Sequence, residues 1–234
     1  MRMKSAGIIA GLLGLAVALT GCGVGGPEES DTVSYDVGDK VAALRVEADA
    51  GTIEVVESQR QGIHVTERLT WRKNKPETSH QVQGDTLALT FKCPTTWGFG
   101  AVSTSCDVSY QVEVPKGLRV KATSDSGTLT LKDLSGELDA QTDSGTIEAG
   151  GLAGKRVAAK TDSGTIELTF TGSPDKVTTS TDSGRTSIHV PQGPYNVVAR
   201  TDSGAKNIEA ATDPSATRQI ELTSDSGDLE VLTP

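Results

Sequence analysis

Six aspartates are the residues best placed by type and spacing to do chemistry, and each stands in a Thr/Ser-Asp-Ser-Gly tetrad. The tetrads recur every 18 to 23 residues, with their aspartates at Asp125, Asp143, Asp162, Asp182, Asp202 and Asp225. Asp-Ser-Gly also carries the catalytic carboxylates of aspartic proteases, but those enzymes pair two aspartates across a cleft. Regular copies fit a turn better, because Asp and Ser bond nearby backbone and Gly accepts a positive φ. We therefore predict a ladder of turns.

A ladder of carboxylates carries an electrostatic cost. Neighbours about 5 Å apart repel by about 0.8 kcal/mol even in bulk water. Backbone N–H groups or a bridging cation such as Ca²⁺ would have to compensate. The nonapeptide of calcium-binding β-rolls, with its paired glycines, is absent from the sequence, so we predict a turn ladder without metal or other cofactor.

Aliphatic residues frame every tetrad. The fifth position before each tetrad aspartate and the sixth after it are always apolar, from Val120 and Leu131 in the first copy to Ile220 and Val231 in the last. Positions alternate on the approach to the turn, which is the period of a strand. Repeats this short bury their apolar sides only by stacking. The pattern predicts an all-β fold, a parallel β-solenoid or β-helix of roughly 20-residue coils.

The fourth position after the tetrad aspartate is aliphatic in four copies and departs from this pattern in the other two. Thr186 and Lys206 stand where the other copies carry an aliphatic residue, which indicates a bulge or a solvent-facing stretch. Ala48-Asp49-Ala50-Gly51 has the frame without the full tetrad and predicts a diverged coil. Longer alternating runs between residues 56 and 115 predict antiparallel β-hairpins. We expect an N-terminal β region at 40–115 and the solenoid repeats at 116–234.

The first residues predict export. A basic start, an apolar stretch at 6–19 and Leu19-Thr20-Gly21-Cys22 resemble the bacterial lipoprotein signal. That resemblance implies a signal peptide at 1–21, lipidation of Cys22 and a place on the extracytoplasmic face of the cell membrane, although an ordinary secretory signal with a chance cysteine is the alternative. Residues 22–39 are expected to be a flexible tether.

Charge excludes some partners. Removal of residues 1–21 leaves 20 basic and 31 acidic side chains, a formal charge of −11. Such a surface disfavours nucleic acid and anionic lipid as direct partners. One basic cluster stands apart, and we interpret it as a solvated hairpin face, with contact to anionic envelope polymers as the alternative. Its members are Arg68, Arg72, Lys73, Lys75 and Lys92.

Cys93 and Cys106 are the remaining cysteines of an exported body, and they predict a disulfide. The loop between them carries Trp97 and Phe99 flanked by glycines. These rings could form a binding tip. They could equally plug the open end of the solenoid, which would otherwise expose strand edges, and we favour the plug.

Catalytic motifs are scarce. The sequence has no HExxH and no GxSxG, and its three histidines stand in unrelated contexts. From residue 114 through the Thr-Asp-Ser-Gly-Thr-Ile-Glu-Leu units to Asp228-Leu-Glu-Val, the chain resembles the bacterial putative-adhesin family, a β-helical domain of unknown function found in exported proteins and lipoproteins. The resemblance covers about residues 40–234. It implies adhesion and brings no catalytic residues.

The predicted function is therefore a lipid-anchored, non-enzymatic adhesion, binding or scaffolding module of the cell envelope. An envelope protein or a polysaccharide is the expected partner. The alternative is a carbohydrate-active β-helix enzyme acting on envelope polysaccharide. Such an enzyme needs a groove with two carboxylates about 5–9.5 Å apart, whereas a scaffold needs only flat ladders.

Overall fold

Seventeen strands join in one sheet in the computed structural model, which describes residues 27–94 and 105–233. No α-helix occurs in these ranges, so the described part of the chain also holds no helix of membrane-spanning length and hydrophobicity. The strands are, in chain order, β1 (Glu29–Val37), β2 (Ala43–Ala48), β3 (Ile53–Glu57), β4 (Ile63–Trp71), β5 (Glu77–Gln83), β6 (Thr86–Lys92), β7 (Cys106–Val114), β8 (Arg119–Ser124), β9 (Leu129–Lys132), β10 (Leu138–Thr142), β11 (Thr146–Leu152), β12 (Arg156–Phe170), β13 (Lys176–His189), β14 (Asn196–Ser203), β15 (Lys206–Ile208), β16 (Gln219–Ser226) and β17 (Leu229–Leu232).

The strands form two sides of the stack, which we call the first face and the second face, and the two meet along the tetrads. Strands that precede a tetrad form the first face, and strands that follow one form the second, while β12 and β13 run through the tetrad and belong to both. The first face runs β5-β6-β2-β8-β10-β12-β13-β16-β14. The second face runs β1-β4-β7-β3-β9-β11-β12-β13-β17-β15.

Pairing is parallel except at one end. The β1–β4, β4–β7 and β5–β6 pairs are antiparallel. The prediction of an all-β fold with antiparallel hairpins on its N-terminal side is confirmed, and the sheet is mixed rather than purely parallel. At about 4.8 Å per strand, the stack is roughly 40 Å long. We call β1, β4, β5 and the turn at 72–76 the hairpin end.

Aliphatic side chains of both faces fill one core. Val120, Leu138, Val157 and Val177 lie directly above one another, and each is at most 3% exposed. This like-on-like stacking follows from parallel pairing in register, since the same position of each repeat meets its counterpart.

Coils do not stack strictly in sequence order. The coil of β16 and β17 pairs with β13 and separates it from the coil of β14 and β15, which is therefore outermost. The last coil has the more apolar interior, with Ile220 1% and Leu222 0% exposed, whereas Val197 and Ala199 of the outermost coil are only partly buried. This order covers the more apolar coil of β16 and β17 and leaves the coil of β14 and β15 at the outside.

The two breaks in the apolar frame have different outcomes. Lys206 belongs to the outermost coil and is exposed, so the expectation of a solvent-facing position is correct there. Thr186 is fully buried and stays in ladder register with Leu229. A bulge or solvent exposure is therefore wrong for Thr186, whose side chain continues the inward column.

At the hairpin end, β6 and β7 form a coil outside the coil of β2 and β3. The tether predicted at 22–39 is wrong over Glu29–Val37, which is strand β1 and pairs antiparallel with β4 along its whole length. The alternation of Val33, Tyr35 and Val37 gives β1 an inward side despite its acidic composition.

Candidate functional site

A groove of about 480 Å³ runs along the first face, parallel to the stack axis. It crosses six consecutive strands, from β6 through β2, β8, β10 and β12 to β13. The small side chains of Ala43 and Ala158 form low points between longer charged ones. At one strand per about 4.8 Å, the groove extends over roughly 24 Å, which suits an extended ligand.

Charged side chains line the groove in two columns. Five are basic and two are acidic, in a chain whose formal charge is −9. The basic residues are Arg45, Arg119, Lys121, Arg156 and Lys176, and the acidic ones are Glu137 and Asp139. The groove is thus the locally basic region of an acidic protein.

Most of these cations have a carboxylate neighbour. Arg119 lies 2.8 Å from Asp85, and Lys121 lies 3.0 Å from Asp139. Arg156 pairs with Glu137 and Arg45 with Glu47. Lys176 has no ion-pair partner within the described ranges.

The partner side chains are between 38% and 65% exposed. Each pair therefore contributes at most about 1 kcal/mol to stability. An anionic or hydroxyl-rich ligand can exchange places with these carboxylates at small cost.

Glu137 and Asp139 are the two carboxylates of the groove, and a carbohydrate-active enzyme would have to use them for catalysis. They stand on the same side of β10, and each is held by a cation, Glu137 by Arg156 and Asp139 by Lys121. Gln141 also donates a hydrogen bond to Asp139, at 2.9 Å. Both carboxylates are therefore held by neighbouring side chains and help to organise the groove surface.

Sequence reasoning missed the groove, although its signal is present. The charged lining residues stand four or six positions before Asp49, Asp125, Asp143, Asp162 and Asp182, on either side of the apolar position at five. Outward carboxylates also follow three of the tetrads, at Glu148, Glu167 and Glu230. Glu148 and Glu167 line a smaller depression of about 220 Å³ on the second face.

The six tetrad aspartates lie along one edge of the stack. Asp143 N–H donates to the Asp125 carbonyl at 3.1 Å, and Asp162 N–H donates to the Asp143 carbonyl at 3.1 Å. Their side chains are exposed, whereas the leading Ser or Thr is buried in five of the tetrads and partly buried at Thr201. Thr142 Oγ1 accepts from Gly145 N–H at 3.1 Å, as Ser124 Oγ does from Gly127 N–H at 2.9 Å. In these two copies the leading Ser or Thr therefore closes the turn.

The role predicted for the tetrad glycines needs correction. Only Gly184 of the six has a positive φ, at 144°. The glycines are required by close approach, because a Cβ on Gly145 would lie 2.0 Å from the Gly127 carbonyl oxygen, and one on Gly164 would lie 2.0 Å from that of Gly145. Any side chain here would separate neighbouring coils.

Like charges meet where the ladder reaches the N-terminal coils. Burial, and then the charges of Asp125 and Asp107, raise the pKa of Asp49 above its usual value. Across residues 27–94 and 105–233 no cluster of three His, Cys, Asp or Glu side chains has the geometry of a metal site.

The disulfide joins Cys93 to Cys106 with a Cα–Cα distance of 6.0 Å. It connects the end of β6 to the start of β7, where the other coils have their tetrad turn. Trp97 and Phe99, between these cysteines, lie outside the described residues, as does Cys22. The binding-tip and plug hypotheses for the two rings therefore stay predictions.

Other aromatic residues close the hairpin end. Tyr35 on β1 stacks on His80 of β5 with ring centroids 4.5 Å apart, so this pair bridges the outermost strands of the two faces. The Tyr35 hydroxyl donates to Glu67 Oε1 at 2.7 Å, and Glu67 is only 2% exposed. Burial and the Glu67 contact raise the pKa of Tyr35. Trp71 is also buried there. Sequence reasoning did not identify Tyr35, His80 or Glu67.

Comparisons with known proteins agree with this architecture. Residues 118–232 match the family model described as Toastrack DUF4097. No curated protein matches the sequence significantly. A structure described as a putative cell adhesion protein from Clostridium sporogenes ATCC 15579 has a TM-score of 0.52 and 12% identity, covering 88% of this chain and 100% of its own. A putative adhesin from Bacteroides fragilis NCTC 9343 gives 0.52 and 12%, with 90% and 100% covered. At this identity the likeness shows the fold alone.

Proposed function

We propose that this chain is a non-enzymatic binding module of the cell envelope, because residues 118–232 match the Toastrack DUF4097 family model and the fold is similar to those of a putative cell adhesion protein and a putative adhesin. A solenoid scaffold displays the first-face groove, and lipidated Cys22 anchors the protein to the outer side of the cell membrane. The groove is the observation that carries this proposal, since it is long, open and lined by exchangeable charges. Its ligand is an extended envelope polysaccharide with acidic groups.

The groove shape supports a polymer over a small molecule. A small-molecule site buries most of its ligand among apolar and aromatic side chains, whereas this groove is open and its lining contains no aromatic residue. Its cations lie on both sides of Glu137 and Asp139, with Arg45, Arg119 and Lys121 towards the hairpin end and Arg156 and Lys176 beyond. An acidic polymer along the axis meets both groups.

The test is a binding titration with acidic envelope polysaccharide and a neutral glucan of equal length. Arg156→Glu with Lys176→Glu is expected to weaken binding of the acidic polymer at least tenfold, with little effect on the neutral one. Lys206→Glu with Lys116→Glu changes the net charge equally outside the groove and is the matched control. Equal loss in both double variants would contradict the groove assignment.

The same titration addresses the enzyme alternative. Glu137→Gln with Asp139→Asn removes both groove carboxylates and leaves the cations. Tighter or unchanged binding of the acidic polymer is expected, together with no shortening of the polymer by the wild type. Chain cleavage that the double variant abolishes would establish a carbohydrate-active enzyme instead.

A further inference from the structure

We propose that the hairpin end is a membrane-facing surface that rests on anionic lipid headgroups. This inference rests on the lipid anchor of the proposed function and concerns a different surface from the groove. Three observations converge on this end: where the chain enters the fold, where basic side chains collect, and where apolar side chains are exposed.

The first observation is the entry point of the chain. Strand β1 begins at Glu29, opposite Trp71 of β4. Six residues lie between Cys22 and Glu29 in the sequence, and the seven Cα–Cα steps from one to the other span at most about 25 Å. A lipid on Cys22 therefore keeps Trp71 and the adjoining turn within about that distance of the bilayer surface. The opposite end of the stack is roughly 40 Å farther away if the axis stands upright.

The second observation is the charge around that entry point. Arg72, Lys73 and Lys75 lie in the turn that follows Trp71 and crosses from the second face to the first, and Lys92 ends the neighbouring strand β6. All four are exposed. Lys75 lies 2.5 Å from Asp31, and Arg72 lies 3.5 Å from Glu28.

Lys73 and Lys92, by contrast, have no ion-pair partner among the residues that the structure describes. The net acidity of the whole chain argues against anionic lipid as a partner, but the turn at 72–76 and the neighbouring Lys92 carry the local positive charge that such lipid attracts. Basic side chains next to a lipid chain supply the second signal that stable anchoring needs.

The third observation is the apolar exposure of the same end. Val33 is 40% exposed and Val82 is 41% exposed, and these are the exposed large hydrophobic residues of ranges 27–94 and 105–233. They belong to β1 and β5, the outermost strands of the two faces. Each points to the inner side of its strand, in line with Glu67 or Leu87, and has no further strand above it. A headgroup layer covers such residues and also meets the free backbone edges.

A second copy of the chain is the competing occupant. Self-pairing of β1 about a two-fold axis would place side by side two strands that each carry Glu29, Asp31 and Asp36. Like charges across strands destabilise pairing. The acidic edge therefore disfavours a dimer here, whereas the turn at 72–76 attracts anionic lipid.

Lysine acetylation of the processed lipoprotein in vesicles tests the proposal. The protein is reconstituted in phosphatidylcholine alone or with phosphatidylglycerol, and each lysine is followed by mass spectrometry. Lys73 and Lys92 are expected to react about fivefold more slowly in the anionic vesicles. Lys160, Lys176 and Lys206, farther along the stack, act as internal controls and keep their rates.

Arg72→Glu is expected to abolish most of that protection, while Arg185→Glu near the other end leaves it unchanged. Uniform lysine rates in vesicle-bound protein would overturn this inference and leave the anchor intact. Protection that depends on protein concentration and not on lipid charge would overturn it in favour of a second copy. Failure of the protein to float with vesicles would overturn the anchor itself, and this inference with it.

Discussion

In the central coils each inward side chain lies on a similar one, as Val120 lies on Leu138, whereas at the hairpin end unlike groups meet, as Glu67 meets Tyr110 across β4 and β7. Parallel register repeats one environment many times. Antiparallel pairing at the end juxtaposes different residues once each. The repeated region therefore provides length and a long groove, and the irregular end provides the buried carboxylate, the aromatic closure and the basic turn.

The substitution with the largest expected effect on stability tests the close approach of the coils. Gly145→Ala places a Cβ 2.0 Å from the Gly127 carbonyl oxygen, and two backbones must separate to admit it. We expect a loss of about 3 kcal/mol or more in the free energy of unfolding, measured by chemical denaturation. Gly150→Ala is the control, because its Cβ meets no atom within 4 Å, and a comparable loss there would contradict the close-approach explanation.

An intermediate effect concerns the hairpin end. Tyr35→Phe removes the hydroxyl that donates to Glu67 and leaves a carboxylate that is 2% exposed without this donor. The expected cost is about 1–3 kcal/mol.

Tyr110→Phe is the matched variant. Tyr110 is 2% exposed, as Glu67 is, but the Tyr110 hydroxyl has no hydrogen-bond partner among the described residues. Its loss should be close to neutral, and thermal unfolding of both variants makes the comparison. If the two lose equal stability, the Glu67 hydrogen bond is not what matters.

The smallest expected effect on stability concerns Asp49, which lies where the N-terminal coils meet the central coils. The pKa of Asp49 is raised in the folded state by burial and by Asp125 and Asp107, so the folded protein holds this proton to a higher pH than the unfolded chain does. Stability is therefore lost as pH rises from the unfolded value of about 3.9 through the raised folded value.

Asp49→Asn removes this loss. Because the group is partly solvated, we expect a rise of only about 1–2 °C in Tm at pH 7 and almost none at pH 3. Calorimetry at both pH values measures the difference. An equal gain at pH 3 would show that ionisation is not the cause.

Particular residues show how far sequence reasoning reached. The aliphatic positions five before and six after each tetrad aspartate predicted the two faces and their inward columns, because a period of two is a local property of a strand. The Cys93–Cys106 pair followed from composition. The tetrad was recognised as a turn, but its glycines were explained by positive φ, because contact with the next coil is invisible in a single repeat.

Other features depended on which segments meet. Residues 29–37 were interpreted as tether, since their few apolar residues gain meaning only when β4 lies beside them. The groove needs the positions four and six before the aspartates of five coils, together with Thr86 of β6, and so draws on six strands at once. Neither Tyr35 nor Glu67 belongs to a recognisable motif, and their hydrogen bond joins residues that are 32 positions apart in the sequence.

Local sequence patterns are enough to define the coil, because alternation and turn chemistry act within about twenty residues of chain. The tertiary structure decided the order of the coils, since every coil has the same apolar frame and could pair with any other. Burial then selected the arrangement that covers Ile220 and Leu222 and leaves Lys206 at the outside. It likewise gathered the basic turn, the free strand edges and the chain entry at one end, which no local pattern specifies.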